Sequence, residues 1–278
     1  MILKSYSKIN LTLIVNSKNN NGLHEIQSLY SLIDLHDKIK VKKIKKNKDK
    51  ISFDGPFAKF VHQKNNSIYQ LLKVLRKFKL ISSYYSIKVT KNIPVFGGLG
   101  GGTSNAAFIL KHLLKDRVND NLLTKLEKII GTDLRLFFKK QGYLKNLKTI
   151  IELKKNQKLY FLLIKPSIRC STKEIYSKVK NCKPKKQFNI NIINSKYKLL
   201  KYLKKNKNDL QFIVEKKYPL IKRLLKDINN EKGSYFGRMT GSGSVCYGLY
   251  KDPILAKRAY NKLKIKYPKF WFSFAKTV

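Results

Sequence analysis

The residues best suited to chemistry are glycines in segment 94–107, which reads PVFGGLGGGTSNAA. Glycine carries no Cβ atom, so the backbone here can take positive φ values and approach a ligand closely. Alternating apolar residues before the segment predict a strand, and apolar residues at helical spacing after it predict a helix. A glycine loop that opens a helix presents N–H groups and the positive end of the helix dipole, which together bind phosphate.

The loop fits neither of two common phosphate-binding patterns. No Lys-Ser or Lys-Thr pair follows the glycines, as a Walker A loop requires, and Thr103 stands where the dinucleotide fingerprint needs its last glycine. The alternative is a purely structural turn. The density of glycines and the hydroxyl pair of Thr103 and Ser104 directly behind them favour phosphate binding.

The pattern P-x-x-G-G-L-G-G-G-S/T-S-N-A-A resembles the ATP loop of the GHMP kinases. It is most similar to the branch that phosphorylates 4-diphosphocytidyl-2-C-methyl-D-erythritol, although Phe96 stands where that branch prefers Gly or Ala. The resemblance implies ATP and Mg²⁺ as cofactors, with Thr103 or Ser104 as possible Mg²⁺ ligands and no certain metal residue. It assigns ATP binding to Pro94, Val95, Phe96, Gly97, Gly98, Leu99, Gly100, Gly101, Gly102, Thr103 and Ser104.

Two separate segments carry the residues that the resemblance makes catalytic. Lys8-Ile9-Asn10-Leu11 is similar to K-I/L-N-L of the branch, in which the lysine is catalytic and the asparagine contacts the substrate. Asp133 matches the aspartate that serves as base in G-A/S-D-V/I-P-F/V-F, with Arg135 in place of the usual proline. Without the resemblance, spacing alone favours two other readings: a solvated strand face for Lys8 and Asn10, and a helix N-cap for Asp133.

Substrate contacts are implied at three further positions. His24 matches the histidine that hydrogen-bonds the cytosine edge, but Leu23 replaces the neighbouring aromatic residue that stacks on the base. Thr172 and Tyr176 match a threonine near the substrate and an aromatic residue that covers cytosine from the other side. Tyr176 could therefore provide the stacking alone, or it could be a core-facing helical tyrosine.

The resemblance extends from Lys8 to about Tyr250 and implies an α+β fold of two domains. The expected N-terminal ATP-binding domain spans residues 1–156 and the C-terminal α/β sandwich domain spans residues 157–278, with the active site between them. From pattern alone we predict one strand over residues 7–13, a basic hairpin tip at residues 42–50, and a helix capped by Asn66 or Ser67. A second glycine turn, residues 239–246, matches another family motif.

Composition sets further limits. The chain has 278 residues, 42% of them hydrophobic, and no apolar run long enough for a membrane helix. Three cysteines without CxxC spacing predict reduced thiols in the cytoplasm. The net charge of +45 is spread over the whole chain together with abundant Asn and Ile. We interpret this charge mainly as the effect of an AT-rich genome. The charge would also attract anionic substrates such as nucleotides.

The expected reaction is transfer of the ATP γ-phosphate to the 2-hydroxyl of a CDP-containing small molecule, in the non-mevalonate route to isoprenoid precursors. We expect no specific nucleic acid or membrane partner, and a monomer or weak homodimer. Three alternatives stay open: a homoserine or mevalonate type of GHMP kinase, a decayed non-catalytic relative, and a basic nucleic-acid-binding protein. The last would leave the glycine loop without a purpose.

Overall fold

The secondary structure mixes helices and strands throughout the chain. The computed structural model describes residues 2–18, 22, 24–153, 155–185, 187–188, 193 and 195–278. The strands are β1 (Ile2–Asn10), β2 (Ile14–Lys18), β3 (His24–Ile44), β4 (Lys50–Asp54), β5 (Tyr84–Thr90), β6 (Gln141–Leu144), β7 (Ile150–Glu152), β8 (Tyr160–Lys165), β9 (Ser234–Met239), β10 (Cys246–Tyr250) and β11 (Trp271–Lys276). The helices are α1 (Ser67–Lys77), α2 (Gly101–Leu114), α3 (Asp120–Ile130), α4 (Thr172–Ser177), α5 (Lys196–Lys205), α6 (Asp209–Lys217), α7 (Pro219–Asn230) and α8 (Pro253–Lys266), with short 3₁₀ helices at Ala58–Phe60, Lys115–Arg117 and Leu134–Phe138.

The chain forms two compact units, each assembled from separate segments. The first unit comprises Met1–Lys8, Leu35–Val95 and Gly100–Lys139, and the second comprises Ile9–Asp34, Phe96–Leu99 and Lys140–Val278. These units are defined by contacts, whereas the boundary expected at residues 156 and 157 separates two family domains. That boundary therefore stays a prediction.

In the first unit, β5 lies between β4 and the second part of β3 in a sheet. It runs antiparallel to the second part of β3 and parallel to β4. Ile39, Ile87 and Val89 are buried on one face of this sheet, as alternation requires. Helix α1 packs against α2 and α3. Its predicted cap is confirmed, because the Asn66 side chain accepts hydrogen bonds from the N–H groups of Ile68 and Tyr69.

The predicted hairpin at residues 42–50 is wrong. Strand β4 pairs with β5 and not with β3, so β5 lies between the two strands that this basic segment connects. The segment contains no glycine, which the tight two-residue hairpin turns favour. Alternating apolar residues predicted strand β5, before the glycine loop, correctly, but they carry no information on which strand pairs with which.

The second unit contains an antiparallel sheet in the order β11-β8-β10-β9. Helices α7 and α8 pack on it, and Ile221, Leu224, Leu225 and Ile228, which recur at helical spacing in α7, are all buried. The first part of β3 pairs antiparallel with β2 and β6 in the same unit. The predicted α+β class is confirmed. No helix in the described ranges has both the length and the apolar character that crossing a bilayer requires.

The predicted strand over residues 7–13 is interrupted. Strand β1 ends at Asn10, and the N–H groups of Leu11 and Thr12 both donate to the carbonyl oxygen of Leu29 before β2 begins at Ile14. Lys8, Asn10 and Thr12 are all at most 3% exposed, so the solvated strand face that spacing favoured is also wrong. Buried polar side chains need partners, and the next section describes them.

Candidate active site

The glycine loop bends through three left-handed backbone conformations. Gly98 and Gly100 have φ values of +73° and +70°, which glycine adopts readily. Phe96 also has a positive φ, +57°, where a residue with a Cβ atom is strained. Phe96 is 50% exposed, and the Arg169 guanidinium lies 5.4 Å from its ring centroid. A glycine or alanine at this position therefore removes bulk, but only glycine removes the strain.

Helix α2 begins directly at the loop, with Gly100 as its N-cap. The first helical hydrogen bond joins the Ser104 N–H to the Gly100 carbonyl oxygen at 2.8 Å. The N–H groups of Gly101, Gly102 and Thr103 precede that bond, so the helix itself supplies no acceptor for them. The first turn contains no acidic residue. This end of a 14-residue helix is therefore suited to an anion.

Lys8 and Asp133 form an ion pair within the first unit. The Lys8 Nζ lies 3.1 Å from the Asp133 Oδ2, with side-chain exposures of 4% and 32%. Asp133 occupies the N-cap position of the 3₁₀ helix Leu134–Phe138, but its carboxylate accepts no capping hydrogen bond. The alternative in which Asp133 serves as a helix cap is therefore wrong. A half-exposed carboxylate beside a buried ammonium group can take a proton from an incoming hydroxyl.

Gly100 brings this ion pair to the start of α2. A Cβ atom at Gly100 would lie 3.4 Å from both Cγ and Cε of Lys8, and 2.8 Å from Cζ of Phe137. Phe137 is fully buried and belongs to the 3₁₀ helix that follows Asp133. The absence of a side chain at residue 100 thus allows the lysine, the aspartate-bearing turn and the glycine loop to approach one another.

The two expected hydroxyl ligands of Mg²⁺ differ in position. Ser104 is fully buried, and its hydroxyl donates to the Tyr6 carbonyl oxygen at 2.5 Å and lies 2.7 Å from the Ser5 hydroxyl. The predicted role of the Ser104 side chain as an ATP or Mg²⁺ ligand is not supported by this geometry. Thr103 is half-buried, and its hydroxyl lies 3.3 Å from where a Cβ of Gly131 would be, at the turn that leads to Asp133.

A buried network beneath the loop was missed by the sequence reasoning. The Lys91 ammonium donates to the Asp37 carboxylate and, at 2.9 Å, to the Asn105 side-chain oxygen. Asn105 in turn donates to Asp37 and to Ser5. Burial lowers the pKa of Lys91, although the charge of Asp37 opposes the shift. Asn105 lies inside the matched glycine motif, so part of the signal existed, but it carried no indication of pairing with Asp37.

In the second unit, Asn10 lies against the second glycine turn. Its backbone N–H donates to the Thr240 hydroxyl at 3.0 Å, and its side-chain amide donates to the Ser28 hydroxyl at 2.8 Å. A Cβ atom at Gly98 would lie 2.3 Å from the Thr240 carbonyl oxygen, so only glycine fits there. Ser28 was not predicted as a partner; it lies four residues after His24 in the chain.

His24 and Tyr176 are in ring contact within the second unit. Their centroids are 5.3 Å apart, and both residues are half-buried. Burial, followed by the charge of Lys18, lowers the pKa of His24 and favours its neutral form. The Thr172 hydroxyl lies 2.8 Å from that of Ser242 in the second glycine turn. Leu23, on which the expected loss of stacking depends, lies outside the described residues.

The structure thus brings the predicted catalytic and substrate-binding residues into contacts within each unit. In the first unit, Lys8 and Asp133 adjoin Gly100 at the start of α2. In the second, Asn10 and Thr172 each contact the second glycine turn, and His24 contacts Tyr176. A glycine loop opening a helix, beside a lysine–aspartate pair, defines a phosphotransferase type of site.

Comparison with known proteins identifies the class. Residues 66–133 match the family model for the GHMP kinases N terminal domain, and residues 194–269 match that for the GHMP kinases C terminal domain. The chain belongs to the GHMP kinase family. A protein of Pelagibacter ubique named 4-diphosphocytidyl-2-C-methyl-D-erythritol kinase is 40% identical to it, covering 99% of this chain and 98% of the relative. A protein of the same name from Caldanaerobacter subterraneus is 32% identical over 96% of this chain and 93% of its own length.

Solved structures support the fold. A crystal structure of 4-(cytidine 5'-diphospho)-2C-methyl-D-erythritol kinase superposes with a TM-score of 0.77 at 22% identity, covering all of both chains. A homoserine kinase from Cytophaga hutchinsonii superposes with a TM-score of 0.69 at 13% identity, covering all of this chain and 93% of that one. At these identities the likeness concerns the fold alone.

Proposed function

We propose that this chain transfers the γ-phosphate of ATP to the 2-hydroxyl of 4-diphosphocytidyl-2-C-methyl-D-erythritol, a step in the non-mevalonate route to isoprenoid precursors. The observation that carries the proposal is the Lys8–Asp133 pair beside Gly100, in a chain that matches relatives of that name over nearly its full length. We further propose a cytoplasmic location and a monomer or weak homodimer. The three free thiols agree with a reducing compartment.

Phosphoryl transfer depends on positioning and charge neutralisation more than on covalent chemistry. In this proposal the N–H groups at the start of α2 bind the nucleotide phosphates. Asp133 accepts the proton of the attacking hydroxyl, and its partial exposure leaves it accessible for that role. Lys8 provides positive charge next to the same carboxylate and stabilises the negative charge that develops.

Mg²⁺ would neutralise charge on the phosphates and fix their geometry when bound. In the part of the chain that the structure describes, no group of three or more His, Cys, Asp or Glu side chains could hold a metal ion. Mg²⁺ bound mainly through phosphate oxygens fits this arrangement, because it commonly takes only one or two protein ligands. Of the two hydroxyls we propose Thr103, since that of Ser104 is committed to the interior.

The substrate roles follow the contacts of the second unit. We propose that His24 hydrogen-bonds the cytosine edge as a neutral imidazole and that Tyr176 stacks on the base. The half-buried ring of Tyr176 already lies against His24, which supports a stacking role over a purely core one. Asn10 and Thr172, both next to the second glycine turn, would contact the polar part of the substrate.

A coupled assay with ATP, Mg²⁺ and the cytidine substrate tests the proposal. Asp133→Asn and Lys8→Met are each expected to lower kcat by roughly 10²- to 10⁴-fold, the usual size of acid–base effects. Asp54→Asn is a matched control, because Asp54 forms an ion pair with Lys88 of nearly the same length, 3.0 Å, on an exposed surface. Equal activity in Asp133→Asn and Asp54→Asn would overturn the assignment.

A substrate panel decides between the proposal and its closest alternatives. Homoserine and mevalonate should be poor substrates, because neither carries a base for Tyr176 and His24. The structural likeness to a homoserine kinase favours neither substrate, since it concerns the fold alone. A parent protein that phosphorylates none of the three compounds would favour a decayed relative.

A further inference from the structure

The side chain of Arg135 makes an extensive set of polar contacts in the first unit. Its Nε lies 3.1 Å from the Glu127 Oε1, and its Nη1 lies 2.5 Å from the Asp120 Oδ1. Its Nη2 contacts both the Glu127 Oε2 and the Thr124 hydroxyl at 3.4 Å. The Arg135 side chain is only 11% exposed. The chain has 16 acidic residues against 61 Lys and Arg, yet two of the 16 meet on this one arginine.

These contacts connect two elements across a turn. Asp120, Thr124 and Glu127 follow one another at helical spacing on one face of α3. Arg135 belongs to the 3₁₀ helix Leu134–Phe138, which begins directly after Asp133. The arginine therefore fastens the 3₁₀ helix back onto α3 and closes the turn at residues 131–133, which carries the carboxylate that pairs with Lys8.

We propose that Arg135 is a positioning residue for Asp133. Its contacts with α3, here called the α3 clamp (Arg135 with Asp120, Thr124 and Glu127), hold the turn so that the Asp133 carboxylate stays within reach of Lys8. The proposal rests on the proposed function of Asp133. In the branch that this chain resembles, proline is usual at this position and restricts the turn through its fixed φ. Here the α3 clamp would restrict the same turn from outside.

Charge and burial make Glu127 dependent on the arginine. Burial raises the pKa of Glu127, while hydrogen bonds from the side chain and the backbone N–H of Arg135 act against that shift. Removing the guanidinium would leave a largely buried carboxylate without its main cation, which is unfavourable. Lysine cannot replace the planar fork that binds both Glu127 oxygens. The clamp is thus specific to arginine.

The 3₁₀ helix is also held by contacts that do not involve Arg135. Loss of Arg135 can therefore change the position of the Asp133 turn without unfolding the unit. Leu134, Leu136 and Phe137 are buried, and the Lys111 ammonium donates to the Phe137 carbonyl oxygen at 2.6 Å. These contacts hold the far end of the helix against α2 when the clamp is lost. We therefore expect loss of Arg135 to let the turn at Asp133 shift while the unit stays folded.

The test compares Arg135→Met and Arg135→Lys with Arg117→Met, an exposed arginine that controls for loss of charge and side-chain length. We expect kcat to fall about tenfold or more in both Arg135 variants, because a misplacement of ~1 Å can lower a rate by ~10²-fold. The KM for ATP should change less than about threefold, since the start of α2 is not altered. Glu127→Gln should lower kcat in the same direction but less, and it serves if Arg135→Met does not fold.

Hydrogen–deuterium exchange of segment 131–138 provides a readout that needs no substrate. Arg135→Met should exchange faster there than Arg117→Met, with other segments of the first unit unchanged. Unchanged exchange, or faster exchange with the kcat of the parent, would overturn the proposal. If the parent protein does not phosphorylate the cytidine substrate, the proposed function fails, and the exchange data alone then decide whether the α3 clamp holds the turn.

Discussion

Gly100→Ala is the substitution for which the structure gives the clearest expected magnitude. Gly100 has φ +70°, and a residue with a Cβ atom in that conformation is less stable by about 1–2 kcal/mol. The new Cβ would also lie 2.8 Å from Cζ of the fully buried Phe137, and overpacking of this kind destabilises by typically 1–3 kcal/mol. We therefore expect the free energy of unfolding to fall by about 2–5 kcal/mol.

The measurement is urea unfolding of Gly100→Ala beside Gly102→Ala. Gly102 lies in the first turn of α2, is exposed, and would place its Cβ no closer than 3.5 Å to the Ser67 hydroxyl. Alanine there should change stability by less than about 1 kcal/mol, with a helix-forming gain as the expected sign. The pair separates the effect of a left-handed position from that of losing a glycine.

The same substitution should also affect the reaction. Relief of the contact requires Phe137 or the Lys8 side chain to move, and Lys8 atoms would lie 3.4 Å from the new Cβ. A fall in kcat, measured without urea and at a temperature well below the unfolding transition, would reflect that movement. Equal unfolding free energies for Gly100→Ala and Gly102→Ala would refute both the backbone and the packing argument.

Two further predictions follow from individual side chains. Phe96→Gly should be more stable than Phe96→Ala by about 1 kcal/mol, because only glycine relieves the positive φ; equal unfolding free energies would contradict this. Burial lowers the pKa of Lys111 to about 8, so between about pH 8 and pH 10 the folded protein binds fewer protons than the unfolded chain, and its stability rises with pH. Lys111→Met lacks that titration. Between about pH 8 and pH 10 the free energy of unfolding of the parent should therefore rise by on the order of 1 kcal/mol more than that of Lys111→Met. Parallel curves of unfolding free energy against pH would contradict the assignment.

Periodicity and local chemistry predicted the individual elements well. The buried face of α7 and the Asn66 cap of α1 follow from apolar spacing and from the hydrogen-bonding capacity of asparagine. Both depend on residues within one or two turns of each other, so the sequence contains the information. The matched family motifs also indicated Lys8 and Asp133. These residues lie far apart in the chain, but the Lys8 Nζ lies 3.1 Å from the Asp133 Oδ2 in the structure.

Pairing and side-chain direction were harder to predict. The parallel pairing of β4 with β5 depends on how the first unit packs as a whole, and nothing in residues 42–50 specifies it. Thr103 and Ser104 present the same hydroxyl chemistry at adjacent positions, yet only Ser104 donates into the interior, to Tyr6. Such choices follow from the rotation of α2 relative to β1, which no local pattern determines.

Departures from a family pattern show this limit most clearly. Arg135 stands where the resembled motif has proline, and by itself that difference predicts an altered turn at Asp133 that keeps the carboxylate. The compensation lies in Asp120 and Glu127, which read as ordinary exposed positions of an amphipathic helix until the 3₁₀ helix is folded against them. A motif can therefore identify the catalytic carboxylate, while the contacts that hold it in place are visible only in the structure. If the α3 clamp acts as proposed, a relative with proline at this position should tolerate loss of the acidic pair.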